Sequence, residues 1–180
     1  MLENDIIKVL VSEEEIKEIC IRLGKIITED YKDKKPLIVG LLKGCAPFMA
    51  ELTKHIDCYV QLDYMGVSSY HGGTESTGDV KINSDLSMSV RGRNVLIAED
   101  IVDTGITLKE VVKLLEHRGA ESVEVVTLLD KPSGRKVEFT PKYVGTKIPA
   151  EFVVGFGLDY DEYYRNLPYI GVLKPEIYTK

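Results

Sequence analysis

Two periods of apolar spacing organise this chain. Short, mostly apolar runs stand at 37–42, 95–98 and 123–129, and runs of that length between turn residues predict strands buried on both faces. Between them apolar residues recur at helical spacing. Ile16, Ile19, Cys20, Leu23 and Ile27 form one stripe, and Leu108, Val111, Val112 and Leu115 form a second. The first helix is predicted over 12–31, opened by the capping box Ser12 to Glu15. The second starts near Thr107 and closes at Gly119. A further helix, with Pro47 in its first turn, runs to about His55. Strands alternating with helices predict an α/β fold, a parallel twisted sheet flanked by helices on both faces.

Elsewhere the pattern weakens. Residues 59–65 alternate moderately and read as a strand. Residues 66–89 are poor in apolar side chains and rich in Ser, Thr and Gly. So long a stretch inside a domain predicts a lid, and Val80 and Ile82 suggest that it pairs back as a hairpin. His71, within it, reads as an exposed loop histidine. A short strand is expected at 152–156, a polar turn or short helix at 160–165, and an edge strand of the sheet at 166–172. The chain of 180 residues is read as one domain, with a core over about 10–142. A hood from about 143–172 plus N-terminal residues, together with the lid, covers the carboxyl rim of the sheet.

Charge narrows the function classes. A net charge of −6 gives no general attraction to nucleic acid or to an anionic membrane. An anionic substrate must therefore be met by local cations, N–H donors or a metal. Cys20, Cys45 and Cys58 show neither metal-ligand spacing nor a disulfide pattern and fit a reducing cytoplasm. The thiol of Cys45, beside Gly44, could be partly exposed and oxidisable. The acidic, mixed N-terminus does not read as a signal peptide, and no run is apolar enough to span a membrane. No dinucleotide fingerprint and no Gly-Lys-Ser/Thr phosphate loop occurs.

The densest chemistry lies at 95–108. Glu99 and Asp100 follow the buried run, at the strand end where open α/β sheets bind ligands. Asp103 opens the turn Thr104, Gly105, Ile106, Thr107, which feeds the second helix. Helix N-termini bind phosphate through N–H groups and the helix dipole. Gly105 permits close backbone approach, the threonine hydroxyls add donors, and the carboxylates can accept from a ribose diol or hold a hard cation. A sugar phosphate satisfies all three features. Lys43 and Gly44, at the end of the 37–42 run, suit a second anion site.

Residues 95–108 resemble the phosphoribosyl-pyrophosphate signature of the type I phosphoribosyltransferases. The rest of the chain, from Val9 to Tyr178, is similar to the bacterial hypoxanthine-guanine branch of that family. The resemblance is carried by 42–44, 68–70, 129–132 and 151–160 as well. It implies magnesium-dependent transfer of a 5-phosphoribosyl group from phosphoribosyl pyrophosphate to hypoxanthine, and to guanine, in purine salvage. It puts the phosphoribosyl group on Glu99, Asp100 and 103–107, and the pyrophosphate on Leu42, Lys43, Gly44 and Arg165. It gives the purine to Lys131, Phe152, Val153 and Asp159, and closes Ser69 and Tyr70 over the substrates as a lid. It makes Asp103 the catalytic base, assigns metal to Glu99, Asp100 and Asp159, and makes the Leu42–Lys43 peptide cis. Ile106 stands where many relatives carry a polar side chain, so its backbone N–H is expected to serve the phosphate. Small-molecule substrates, no nucleic acid, no membrane and a homodimer or homotetramer are the expected partners.

Overall fold

The computed structural model describes residues 1–69 and 80–179. Its centre is a six-stranded sheet. In chain order the strands are β2 (Leu37–Leu42), β3 (Gln61–Ser69), β4 (Val80–Ser84), β5 (Asn94–Val102), β6 (Ser122–Asp130) and β7 (Tyr143–Lys147), and their spatial order is β4-β3-β2-β5-β6-β7. All neighbours are parallel except the edge pair β3 and β4. That pair is the hairpin expected from Val80 and Ile82.

Side chains leave a strand alternately to its two faces, and the helices divide accordingly. Ile38, Leu96, Ala98 and Val126 pack with α1 (Glu13–Tyr31) and α2 (Cys45–Thr53). Leu37, Val39, Leu41, Val95 and Ile97 pack with α3 (Ile106–His117) on the other side. α1 begins on the predicted capping box: the Ser12 side chain accepts from Glu15 N, and the Glu15 carboxylate accepts from Ser12 N. The helix ends fall within two residues of expectation. α2 starts at Cys45, ahead of Pro47, because Gly44 takes the cap position.

β2 is bordered by β3 on one side and by β5 on the other, and the winding reverses between β2 and β5. Such a reversal separates the loops that leave the two strands and opens a crevice at their carboxyl ends. The loops concerned are 42–44 and 103–107.

A second, three-stranded antiparallel sheet, β1 (Ile6–Val11), β9 (Ile170–Leu173) and β8 (Val153–Val154), lies in the order β1-β9-β8. Two expectations are corrected here. The segment 166–172 does not return to the main sheet as an edge strand; β9 is the middle strand of the small sheet. β7, assigned to the hood, instead extends the main sheet beside β6. Its pattern is interrupted by Gly145 and Thr146, so its apolar signal is weak. β1 also went unread; its run is apolar apart from Lys8, yet it is an edge strand of the small sheet that leaves Ile7 and Val9 exposed. The small sheet has its own core of Val154, Tyr164, Leu167 and Leu173. A four-residue helix, α4 (Pro175–Tyr178), follows β9. No helix among the described residues is long and apolar enough to cross a membrane.

Candidate active site

A cleft of about 320 Å³ occupies the crevice. Leu42, Gly44, Glu99, Asp100, Asp103, Thr104, Gly105, Thr107, Asp159 and Arg165 all line it. The two loops expected to hold phosphate and pyrophosphate therefore face one space. Gly44 approaches so closely that a Cβ there would meet a carboxylate oxygen of Asp100. The Leu42–Lys43 peptide is cis.

β5 runs on to Val102, so Glu99 and Asp100 belong to the last residues of the strand, and both line the cleft. Asp100 is 7% exposed. Burial pushes the Glu99 carboxyl well above the usual range, and the charge of Asp100 adds to the effect. Burial raises Asp100 as well, although hydrogen bonds to Glu99 and to Ile101 N, and the charge of Arg165, oppose it. A pair of carboxylates that resists ionising is a ready position for a cation. Two carboxylates, completed by water and phosphate oxygens, are also the donor set magnesium prefers. The set expected for metal does not assemble as one cluster. Among the described residues no three acidic, His or Cys side chains gather as ligands, and Asp159 turns to Arg165, its Oδ1 lying 3.0 Å from Nη2.

The turn after β5 has the expected form. Gly105 caps α3 with φ of +78°, a left-handed conformation that side chains disfavour. The first-turn N–H groups of α3 leave the helix end at the cleft. Thr104 Oγ1 accepts weakly from Ile106 N, at 3.4 Å.

Asp103 and Lys131 meet. Lys131 Nζ lies 3.5 Å from Asp103 Oδ2. The two residues come from the ends of neighbouring parallel strands, β5 and β6. Phe152 presents a partly open ring, 39% exposed, whose other neighbours are aromatic. Tyr178 stacks on it at 4.5 Å between centroids, and Tyr160 meets it edge-on at 5.8 Å. Val153 is buried in β8 against Val172. Lys131, Phe152 and Val153 do not line the cleft that holds the phosphate loops. Ser69 ends β3; Tyr70 lies outside the described residues.

Arg165 and Lys43 converge on a residue that sequence reasoning missed. Glu162 Oε2 is 2.6 Å from Lys43 Nζ, and its Oε1 is 3.1 Å from Arg165 Nη2. A second missed residue is Arg135. Its Nη1 donates to Val102 O at 3.0 Å and to Asp103 O at 2.7 Å, while Nη2 pairs with the buried Asp130. It thus clamps the backbone at the start of the phosphate turn. Gly134 is a third, since a Cβ there would collide with Asp103 Oδ1. The only signal for these two was an arginine and a glycine just after a strand that ends at the rim. The expected exposure of Cys45 is corrected: the thiol is fully buried behind the loop, and burial raises its pKa.

With this geometry in place, the comparisons with known proteins are direct. A family model described as phosphoribosyl transferase domain matches residues 9–161. The chain belongs to the phosphoribosyltransferase family and is a transferase. It is 62% identical, over 99% of its own length and 97% of the relative's, to a hypoxanthine-guanine phosphoribosyltransferase of Lactococcus lactis. It is 58% identical to one of Staphylococcus epidermidis, over 99% and 100% of the two chains. The crystal structure of a hypoxanthine phosphoribosyltransferase from Staphylococcus aureus superposes with a TM-score of 0.96 at 56% identity, covering 99% of this chain and 97% of that one. These identities put the chain in the hypoxanthine-guanine branch of the family.

Proposed function

We propose that the enzyme transfers the 5-phosphoribosyl group of phosphoribosyl pyrophosphate to N9 of hypoxanthine, and of guanine, releasing pyrophosphate and forming IMP or GMP in the cytoplasm. One observation carries the reading. A largely buried carboxylate pair and a glycine-capped helix start share a single cleft with a lysine-bearing loop and an arginine. That is the donor set for a sugar carrying phosphate at one end and diphosphate at the other.

Each group then has a task. The 103–107 turn grips the 5-phosphate through N–H groups and hydroxyls. Glu99 and Asp100 hold the ribose hydroxyls and stabilise the positive charge that develops at C1 as the bond to pyrophosphate stretches. Lys43, Gly44 and Arg165 receive the departing pyrophosphate. Glu99 and Asp100 would also hold magnesium, with Asp159 at the same cleft; when bound, the ion neutralises the leaving group.

The 3.5 Å spacing of Lys131 and Asp103 supports the purine assignment. A 6-oxopurine carries an acceptor, O6, next to a nitrogen, N7, that can bear a proton. An ammonium beside a carboxylate matches that edge, and an ammonium has nothing to accept the amino group of adenine. As N9 attacks C1, the proton at N7 passes to Asp103. Phe152 offers a stacking face and Val153 its backbone to the ring. In this reading Ser69 and Tyr70 have the task of keeping water from the reacting centre.

The test is an assay of each free base with phosphoribosyl pyrophosphate and magnesium, reading nucleotide and pyrophosphate. Equal amounts of IMP and pyrophosphate from hypoxanthine, and none from adenine, are expected. Absence of nucleotide with every 6-oxopurine overturns the reading.

A further inference from the structure

The two cations set aside for pyrophosphate already share an anion. Glu162 spans them, with one carboxylate oxygen on Lys43 and the other on Arg165. Arg165 is otherwise locked in place. Its Nη1 donates to Gly157 O at 2.6 Å and its Nη2 lies 3.0 Å from Asp159 Oδ1. Lys43 is 70% exposed, and among the described residues its ion pair is with Glu162. Glu162 is thus the movable part of the arrangement.

Its position argues against an incidental surface pair. Glu162 has φ of +67° and Asp161 of +51°, in a two-residue turn closed by Tyr160 N to Tyr163 O at 3.2 Å and Tyr163 N to Tyr160 O at 3.0 Å. Turns of this kind favour Asn and Gly, because both central residues are left-handed. A glutamate there strains the backbone, while exposed ion pairs return little stability. The turn itself is anchored by Glu162 N donating to Asp159 Oδ2 at 2.9 Å. On the Glu162 side that bond uses only the backbone N–H, and it leaves the Glu162 side chain free to swing.

We propose that Glu162 is a resident stand-in for pyrophosphate: its carboxylate occupies the Lys43 and Arg165 cations until pyrophosphate displaces it, and recaptures them as the product leaves. The proposal rests on the assignment of those cations to pyrophosphate. Glu162 then weakens binding of every ligand that carries a diphosphate and hastens its departure. Ligands that carry only the 5-phosphate do not compete with it.

Glu162→Gln keeps the shape and removes the charge. With magnesium present, calorimetric titration of pyrophosphate is expected to give roughly 3- to 10-fold tighter binding to this variant, the scale of two exposed ion pairs. The KM for phosphoribosyl pyrophosphate and the inhibition constant of pyrophosphate should fall by a similar factor. The KM for hypoxanthine and the affinity for IMP should stay. The gain should shrink as salt rises. Glu162→Gly, which relieves the left-handed backbone, should show the same tightening together with a higher Tm. A purely structural turn would move Tm and leave the pyrophosphate affinity alone. Unchanged or weaker pyrophosphate binding in both variants overturns the role of Glu162. A wild-type chain that binds no pyrophosphate overturns the site assignment, and this inference with it.

Discussion

Asp103 sits where three residues constrain it. Lys131 faces its carboxylate, Gly134 leaves room for one of its oxygens, and Arg135 holds its carbonyl. A carboxylate held this firmly, with 44% of its side chain still exposed, can both meet a ligand and accept its proton. Asn preserves the shape and the bond to Lys131 but cannot take the proton. Asp103→Asn is therefore expected to lower kcat roughly 100- to 10,000-fold, the range of a positioned general base. Binding of phosphoribosyl pyrophosphate, followed by calorimetry, should change little. A variant that turns over at near the normal rate removes Asp103 from that role. The acids at 99, 100 and 103 were visible in the sequence because they cluster at a strand end before a Thr-Gly turn. Glu162, Arg135 and Gly134 were not, since nothing local distinguishes them from turn residues. Their partners lie far off in the chain or across a strand end.

Elements carry the next set of consequences. β5 and β6 run parallel, and the turn after each must stay open for a ligand. One link between them at the rim is Arg135, which ties the Val102 and Asp103 carbonyls to Asp130. Asp130 is 5% exposed, so losing its partner strands a charge. Arg135→Met is expected to cost about 3 kcal/mol in urea denaturation, the scale of breaking a buried pair from one side. The double variant Arg135→Met with Asp130→Leu should recover most of that loss, because no charge is then stranded. Both variants should raise the KM for phosphoribosyl pyrophosphate, since the turn loses its clamp in each. If the double variant is no more stable than the single one, the pair contributes through packing instead. β7 and β1 escaped the sequence reading at this same scale. Each has side chains that are apolar only in part or face solvent, and edge positions tolerate such patterns.

At the scale of the molecule, the buried pair Glu99 and Asp100 couples folding to pH. Both carboxyls lie above the usual range when folded, mainly through burial; unfolded, they titrate near 4. The folded state therefore holds more protons between those values. The stability linked to the protonated pair is complete below the unfolded pKa and is lost as pH rises through the folded ones. Glu99→Gln removes part of that loss. The variant's Tm is expected to gain on that of the wild type between about pH 5 and pH 8, a window above the unfolded values. Magnesium held at the pair, as proposed, would favour its ionised form and should raise the wild-type Tm more at the upper end of that window. A gap between variant and wild type that stays constant across the window contradicts the linkage.

Much of this protein was determined by short windows of sequence. Apolar runs specified strands, helical stripes and a capping box specified helices, and a Gly-bearing turn before a helix marked the candidate site. These signals are local because backbone periodicity and turn chemistry act over a few residues. Tertiary structure alone decided that β2 lies beside β5, which sets loop 42–44 opposite loop 103–107. It also made β9 the centre of a second sheet and laid the Glu162 carboxylate across Lys43 and Arg165. Such pairings join residues far apart in the chain. They are settled by which faces can be buried together and which charges then meet, and no single segment carries that information.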